Sequence, residues 1–190
     1  MRQSQKIVQM AEVALMSAVL CVISPFSIPV PMSPVPMNLA LFGVHLTSVL
    51  LGAKTGAVSV MIYLFLGAVG IPVFSGFSGG IGILLGPTGG YLMGYVPCAL
   101  LMGWLGRRAQ KSRLSGKWQL LLQGSSMAAG TVVCYILGTA WFLMIMQETY
   151  TLSQALLVCV VPYLLFDFMK ILAAAAIAMP LQRIIRRIEQ

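Results

Sequence analysis

The sequence predicts an all-α membrane protein in which six transmembrane helices form a compact bundle. Of its 190 residues, 59% are hydrophobic and only 8% are charged, whereas about 25% of the residues in an ordinary soluble domain are charged. Residues 13–53, 55–106 and 118–147 contain no Asp, Glu, Lys or Arg. Because about 20 apolar residues cross a bilayer as a helix, these segments are long enough for several spans. The sequence does not show the alternating segments typical of a transmembrane β-barrel.

Charged residues and glycine-rich stretches divide the chain into six predicted spans. The first span begins after Lys6, and a signal peptide is disfavoured because no small-residue cleavage site follows it. The second and third spans lie on either side of Lys54, and the fourth ends before Arg107. The fifth begins after Lys117, and the sixth ends before Arg183. The predicted spans are residues 7–24, 38–53, 55–70, 87–106, 119–145 and 160–182. They are expected to form one transmembrane domain over residues 1–190.

The basic residues fall on one side of the predicted membrane. With the N-terminus in the cytoplasm, the cytoplasmic side contains Arg2, Lys6, Lys54, Arg107, Arg108, Lys111, Arg113, Lys117, Arg183, Arg186 and Arg187. The predicted outer loops contain no Lys or Arg. This asymmetry follows the positive-inside rule and predicts that both termini are cytoplasmic. The net charge of +8 therefore indicates contact with anionic lipid rather than with nucleic acid.

The cysteine and histidine residues do not form the pattern of a metal or redox site. Cys21, Cys98, Cys134 and Cys159 lack the paired spacing of such sites, and we expect them to pack as apolar residues. His45 has no second His, Cys or carboxylate at ligand spacing. A packed, hydrogen-bonded histidine is favoured over a ligand contact. The sequence predicts no metal site, no cofactor and no catalytic residue.

A glycine-rich loop separates the third and fourth spans. Residues 77–91, FSGGIGILLGPTGGY, contain six glycines and no charge. A Walker A motif is excluded because Gly86 precedes Pro87 and no lysine follows. A dinucleotide fingerprint at Gly80, Gly82 and Gly86 is rejected because a preceding strand and a later acidic residue are missing. Irregular backbone at membrane depth is tolerated where it lines a cavity, and glycine lets backbone groups approach a ligand. The loop is therefore interpreted as part of an extracellular binding site, with an ordinary connection as the alternative.

The last predicted span contains an acid and a base three residues apart. Apart from Glu12 near the cytoplasmic end of the first span, Asp167 and Lys170 are the only acid and base predicted within the hydrocarbon region. Their spacing places them on one helical face. A charge near the bilayer centre costs at least about 2.5 kcal/mol on insertion scales, so such a pair predicts a functional site. An acceptor beside a donor suits a small ligand with N–H and C=O groups. A self-neutralising structural pair is the alternative.

Three blocks of the sequence carry a resemblance to a known family. They are GIPVFSGFSGGIGILLGPTGGYLMGY at residues 70–95, SPVPMNLALFG at residues 33–43, and the D-x-x-K motif of Asp167 and Lys170. These blocks resemble the signature region, the V-P-x-T-L-Q-x-F-G segment and the final-helix motif of the BioY family. This family comprises the biotin-binding S components of energy-coupling factor (ECF) vitamin transporters. The resemblance covers essentially the whole chain and is most specific in the GIPVF and GPTGGY blocks. The chain departs from the family pattern at Asn38, Ala40, Ser75-Gly76-Phe77 and Leu165-Phe166.

The resemblance implies a high-affinity biotin-binding subunit in the bacterial plasma membrane. Asp167 would accept hydrogen bonds from the ureido N–H groups of biotin, and Lys170 would donate to either its ureido carbonyl or its carboxylate. The candidates for an apolar wall are Phe74, Phe77, Tyr63 and Tyr91. The loop residues that would close over the ligand are Ser78, Gly79, Gly80, Thr88, Gly89 and Gly90.

The resemblance also implies protein partners. The 190 residues contain no nucleotide-binding motif, so the chain must borrow ATP hydrolysis or act passively. The resemblance implies an energising module of a T component and two ABC-type ATPases. Ala14 and Ala18 form a small-xxx-small pattern that lets another helix approach closely. The resemblance implies a docking face for the T component there, and packing within the chain is the alternative.

Two other functions remain open from the sequence. One is an S component for riboflavin, thiamine or pantothenate with the same architecture. The other is an intramembrane enzyme, which would need a nucleophile beside a base or a metal cluster. A channel is disfavoured because rings of charge and carbonyl filters are not evident.

Overall fold

A computed structural model of the chain describes residues 2–30, 33–111 and 116–188, and most of these residues are helical. The helices are α1 (Arg2–Ile23), α2 (Ala40–Leu51), α3 (Ala53–Val69), α4 (Ile81–Leu85), α5 (Gly89–Lys111), α6 (Gly116–Ile145), α7 (Leu152–Cys159) and α8 (Val161–Ile188). The strands β1 (Ser27–Ile28) and β2 (Met37–Asn38) form an antiparallel pair in which Ser27 lies opposite Asn38. Arg113, one of the residues predicted to be cytoplasmic, lies outside the described residues.

Six of the described helices, α1, α2, α3, α5, α6 and α8, correspond to the predicted spans. The helices α1, α5 and α8 continue into the basic segments that bound the apolar stretches, because backbone hydrogen bonding does not require apolar side chains. By length and composition, three described helices could cross a membrane, within Gln5–Ile23, Lys117–Ile145 and Val161–Gln182. The helices α2 and α3 are apolar but shorter. The all-helical membrane fold is therefore found, while the count of six spans remains a prediction.

Two short helices and the strand pair were not predicted. Helix α4 lies inside the loop predicted to be irregular. Helix α7 begins with a capping box. The Thr151 side chain accepts from the backbone N–H of Gln154, and the Gln154 side chain accepts from the backbone N–H of Thr151. The T-x-x-Q pattern of this capping box is visible in the sequence, but hydropathy alone does not detect it.

The outer surface of the helices is apolar and the interior contains polar side chains. Large apolar residues that are mostly exposed include Val22, Phe65, Leu121, Met144 and Leu165. In the interior, the Ser17 hydroxyl lies 3.1 Å from the backbone oxygen of Ser59 and thereby joins α1 to α3. An apolar exterior around a partly polar interior suits a chain whose solvent is lipid.

At one end of the helix bundle, here called the basic end, hydrogen bonds from amide and guanidinium side chains connect the helices. The Arg107 guanidinium donates to the backbone oxygen of Leu51 at 2.7 Å. Gln182 donates to the backbone oxygen of Val49 at 3.0 Å and accepts from Gln123 at 2.7 Å. These bonds tie the end of α2 to α5, α6 and α8.

The opposite end, here called the loop end, is covered by the strand pair and by the glycine-rich segment of residues 70–88. The segment begins at Gly70, which ends α3 with a left-handed φ of 110° that disfavours other residues. The backbone N–H of Gly76 donates to the oxygen of Pro25 at 2.9 Å, which joins the segment to the residues just before β1. The Trp141 indole donates to the oxygen of Gly86 at 3.0 Å, which fixes the segment to α6.

Candidate ligand-binding site

A cavity of about 230 Å³ lies at the loop end of the bundle. The strand pair contributes Asn38 to its lining, and the glycine-rich segment contributes Phe74, Ser75, Ser78 and Thr88. The helices α2, α4, α5, α6, α7 and α8 and residues 35–37 supply the remaining lining residues. The segments that the sequence analysis treated as separate motifs therefore line one cavity.

The predicted ion pair faces this cavity from α8. Lys170 Nζ lies 2.8 Å from Asp167 Oδ1, and both residues line the cavity. The whole Asp167 residue is only 5% exposed. One turn of helix places the two side chains together, as their spacing predicted. The pair presents a hydrogen-bond acceptor beside a donor in a largely apolar enclosure.

A tyrosine that the sequence analysis did not assign to the site contacts the other oxygen of the carboxylate. Tyr135 in α6 lines the cavity, and its hydroxyl donates to Asp167 Oδ2. A phenol hydroxyl in an otherwise apolar span usually finds a partner when it is buried. This rule predicts a hydrogen-bond partner for Tyr135, but the sequence does not show that the partner is Asp167.

Aromatic rings make the wall of the cavity. Tyr91 lines it while its hydroxyl lies 3.0 Å from Thr139 Oγ1, and Tyr163 lines it while donating to the backbone oxygen of Val35. Phe74 is 1% exposed and also contributes to the lining. These rings give a ligand an apolar surface, with their polar atoms engaged elsewhere.

The glycine-rich segment forms a tight hairpin over the cavity. Phe74 and Ser78 exchange backbone hydrogen bonds of 2.9 and 3.3 Å, and the Ser78 hydroxyl donates to the backbone oxygen of Ser75 at 2.8 Å. Ser75 Oγ is buried and has no hydrogen-bond partner among the described residues. A buried, unpaired hydroxyl in the lining is available to a polar group of a ligand.

Six of the predicted ligand-binding and wall residues line the cavity, and six others lie elsewhere. Those in the lining are Asp167, Lys170, Tyr91, Phe74, Ser78 and Thr88. Within the described part of the chain, the lining does not include Tyr63, Phe77, Gly79, Gly80, Gly89 and Gly90.

The first two of these outlying residues are aromatic. Tyr63 is fully buried and meets Phe74 edge to face, with ring centroids 5.6 Å apart. It therefore supports a wall residue from behind. Phe77 is 62% exposed and packs against the ring of Phe26 at 5.7 Å.

The outlying glycines serve backbone and helix packing. The Gly80 N–H donates to the oxygen of Gly67 at 2.7 Å and fastens the segment to α3. A Cβ atom on Gly90 would lie 2.6 Å from Trp141 Cγ, so glycine is needed for α6 to approach α5. Gly90 therefore packs against α6 and Gly89 packs against the backbone of Leu84, whereas the sequence analysis predicted ligand contact for both.

The thiols and the histidine are placed mainly as packing residues. Cys98 is fully buried, but Cys134 and Cys159 also line the cavity, which the sequence had not indicated. His45 is fully buried with Nε2 3.0 Å from Thr131 Oγ1, which confirms the prediction of a packed, hydrogen-bonded histidine. Among the described residues, no three His, Cys, Asp or Glu side chains come together as a metal site would need.

Comparison with known proteins identifies the family of the chain. The BioY family matches residues 1–187. The chain belongs to the BioY family. The resemblance inferred from the glycine-rich blocks and the D-x-x-K motif is thereby confirmed.

Relatives within the BioY family are similar over most of their length. The biotin transporter BioY of Thermotoga maritima is 37% identical over 157 residues, which cover 83% of this chain and 86% of the relative. A probable biotin transporter BioY of Pyrococcus horikoshii is 39% identical over 155 residues, covering 82% of this chain and 85% of the relative. These relatives are named as transporters rather than as enzymes.

A solved structure has the same fold. It is the crystal structure at 2.1 Å of the S-component for biotin from an ECF-type ABC transporter. The match has a TM-score of 0.84 at 25% identity and covers 96% of this chain and 95% of the other. Together with the apolar helices, these relatives confirm that the chain is a multi-pass, mainly helical membrane protein.

Proposed function

We propose that this chain is the biotin-binding subunit of a vitamin transporter and that biotin occupies the cavity at the loop end. The observation that carries the proposal is the ion pair of Asp167 and Lys170, which is largely buried and lines a cavity walled by aromatic rings. Biotin combines ureido N–H donors and a carbonyl acceptor with an apolar thioether ring. Asp167 accepts from the N–H groups, and Lys170 donates to the ureido carbonyl or to the carboxylate.

In this proposal, the other predicted ligand residues either line the cavity or support residues that do. Phe74 and Tyr91 form the apolar wall, and Ser78 and Thr88 lie at the loop side of the cavity. Tyr63 supports the wall through Phe74. The glycines of the segment allow its backbone to fold closely over the cavity.

The names of the relatives support biotin over riboflavin, thiamine or pantothenate. Two relatives above 35% identity are called biotin transporters or probable biotin transporters. The structural relative is called the S-component for biotin.

We further propose the topology and location of the subunit. Residues 1–190 form one substrate-binding domain with six spans in the bacterial plasma membrane. Both termini are cytoplasmic, because the basic residues, including Lys54 and Arg107, then obey the positive-inside rule. The basic end therefore faces the cytoplasm, and the cavity faces the exterior from which the ligand comes.

An ECF module is the proposed source of energy for transport, with a T component and two ABC-type ATPases. A groove of about 790 Å³ runs between α1 and α3, and Ala14, Ser17 and Ala18 line it from the α1 side. This α1–α3 groove contains the small-xxx-small pair on its surface, where another transmembrane helix can approach closely. We propose that a helix of the T component docks there.

Calorimetric titration of the purified protein in detergent tests the proposed substrate. We expect saturable binding of biotin near one molecule per chain, with no binding of riboflavin, thiamine or pantothenate at the same concentrations. Binding of another vitamin in place of biotin would contradict the proposed substrate while leaving the transporter class intact. Absence of binding to all four would contradict the proposed function.

A further inference from the structure

The carboxylate of Asp167 is held from two different helices. Lys170 Nζ, on the same helix, lies 2.8 Å from Oδ1, and the Tyr135 hydroxyl on α6 donates to Oδ2. All three residues line the cavity. The orientation of the carboxylate toward the cavity therefore depends on both partners.

Lysine alone would fix this carboxylate poorly. Its ammonium group is a compact charge on a flexible four-carbon stem, and Lys170 belongs to the same helix as the group it contacts. The Tyr135 ring is rigid and extends from the neighbouring helix α6. The phenol thus fixes Oδ2 relative to α6 as well as to α8.

The other hydrogen-bonded tyrosines of the cavity have partners away from the ion pair. Tyr91 contacts Thr139, and Tyr163 donates to the backbone oxygen of Val35. Tyr135 differs from them because its hydroxyl contacts the charged group proposed to bind the ligand. A hydrogen bond to an ionised acceptor is roughly twice as strong as one between neutral groups.

The two existing hydrogen bonds leave the carboxylate able to accept more. A carboxylate offers about four lone-pair positions on its two oxygens. One bond to Oδ1 and one to Oδ2 leave a position on each oxygen for N–H groups of a ligand. Holding a recognition group in its bound orientation before the ligand arrives lowers the ordering cost of binding.

We infer that Tyr135 is a positioning residue that acts through Asp167, holding the carboxylate in the orientation that accepts the ligand N–H groups. The inference rests on the proposed function of the cavity as a biotin site. It assigns to α6 a part in ligand recognition that neither the D-x-x-K motif nor the glycine-rich blocks indicate.

Calorimetry with biotin on Tyr135→Phe tests the affinity part of the inference. Phenylalanine keeps the ring and removes the hydroxyl, so we expect the Kd for biotin to rise about tenfold. Tyr150→Phe is the matched control, because Tyr150 packs against Phe142 outside the cavity lining described here, and its Kd should equal that of the wild type. An unchanged Kd in Tyr135→Phe would overturn the inference, provided that the wild type binds biotin. Failure of the wild type to bind would instead contradict the proposed function.

A double-mutant cycle tests whether Tyr135 acts through Asp167. Melting temperatures of ligand-free Tyr135→Phe, Asp167→Asn and the double variant should show non-additive shifts, because both single changes alter one hydrogen bond. This readout needs no ligand, so it works even where Asp167→Asn abolishes binding. Additive shifts together with a raised Kd in Tyr135→Phe would mean that the hydroxyl contacts the ligand directly, and they would overturn the positioning role.

Discussion

The buried carboxylate of Asp167 contacts one cationic side chain and one phenol hydroxyl. Removing a single partner from a buried ion pair typically costs about 3–5 kcal/mol, because the other charge remains uncompensated. Replacing both charges by neutral groups is often much less harmful to stability. Ligand binding and stability should therefore respond differently to changes at Asp167 and Lys170, and this difference can be measured.

The first prediction compares single and double neutralisation of the ion pair. Asp167→Asn and Lys170→Gln should each lower the melting temperature and reduce biotin affinity at least tenfold, since charge-assisted hydrogen bonds contribute about 1.5–3 kcal/mol. The double variant should regain most of the lost stability without regaining binding. Thermal melting and calorimetry on the same preparations check this. Wild-type affinity in the double variant would exclude the pair from ligand recognition.

Among the residues that line the cavity, the sequence predicted the ion pair and part of the wall but missed other lining residues. Charges are rare in apolar spans, so Asp167 and Lys170 were evident from hydropathy and spacing alone. Tyr135 and Asn38 were not assigned to the site, because their positions in the cavity depend on how α6 and the strand pair pack. Glycines 89 and 90 were assigned to the ligand, since a sequence does not distinguish a close ligand from a close helix.

Among the elements, α5 and α6 come close enough that glycine is required at the contact. A Cβ atom on Gly90 would lie 2.6 Å from Trp141 Cγ and 3.1 Å from the backbone oxygen of Leu137. Trp141 also donates to the oxygen of Gly86 in the glycine-rich segment. A shift of Trp141 would therefore disturb both the helix packing and the loop end.

The second prediction concerns this contact. Gly90→Ala should destabilise the protein by about 1–3 kcal/mol, because overpacking displaces the Trp141 side chain. Gly82→Ala in α4 is the matched control, since no described atom lies within 4 Å of the new Cβ and alanine favours helix. Its stability should be unchanged or slightly higher. Equal melting temperatures for the two variants would show that the α5–α6 contact does not depend on glycine.

The long helices could be predicted at the scale of elements, while the short ones could not. Long apolar stretches next to basic residues marked α1, α6 and α8 directly, because a helix needs that length to cross a bilayer. The strand pair and α4 are too short for a periodic pattern, and the chain next to them is held by contacts such as that of Gly76 with Pro25. Their formation depends on tertiary packing rather than on local propensity.

Over the whole molecule, the cavity and the α1–α3 groove occupy different surfaces. The cavity lies at the loop end, whereas the groove extends along α1 and α3 and includes Lys6 and Lys54 near the basic end. The residues that line the two sites do not overlap among those described. Changes in the groove should therefore affect partner binding without affecting ligand binding.

The third prediction tests this separation of surfaces. Ala14→Trp and Ala18→Trp fill the groove, so they should abolish co-purification of a co-expressed T component while leaving biotin affinity within about twofold. Leu15→Trp is the matched control, because Leu15 is exposed on the same helix but does not line the groove among the described residues. Retained co-purification in both Ala14→Trp and Ala18→Trp would contradict docking at the groove. Loss of co-purification in the Leu15 variant would show that the effect is not specific to it.

The most direct test of biotin binding at the ion pair is an experimental structure of the protein with saturating biotin. We predict ligand density in the cavity at the loop end, with biotin N–H groups within hydrogen-bonding distance of Asp167 and a biotin oxygen near Lys170. The aromatic ring of Phe74 or Tyr91 should contact the apolar part of the ligand. Density for biotin at another surface, or an empty cavity at saturating ligand, would contradict the account.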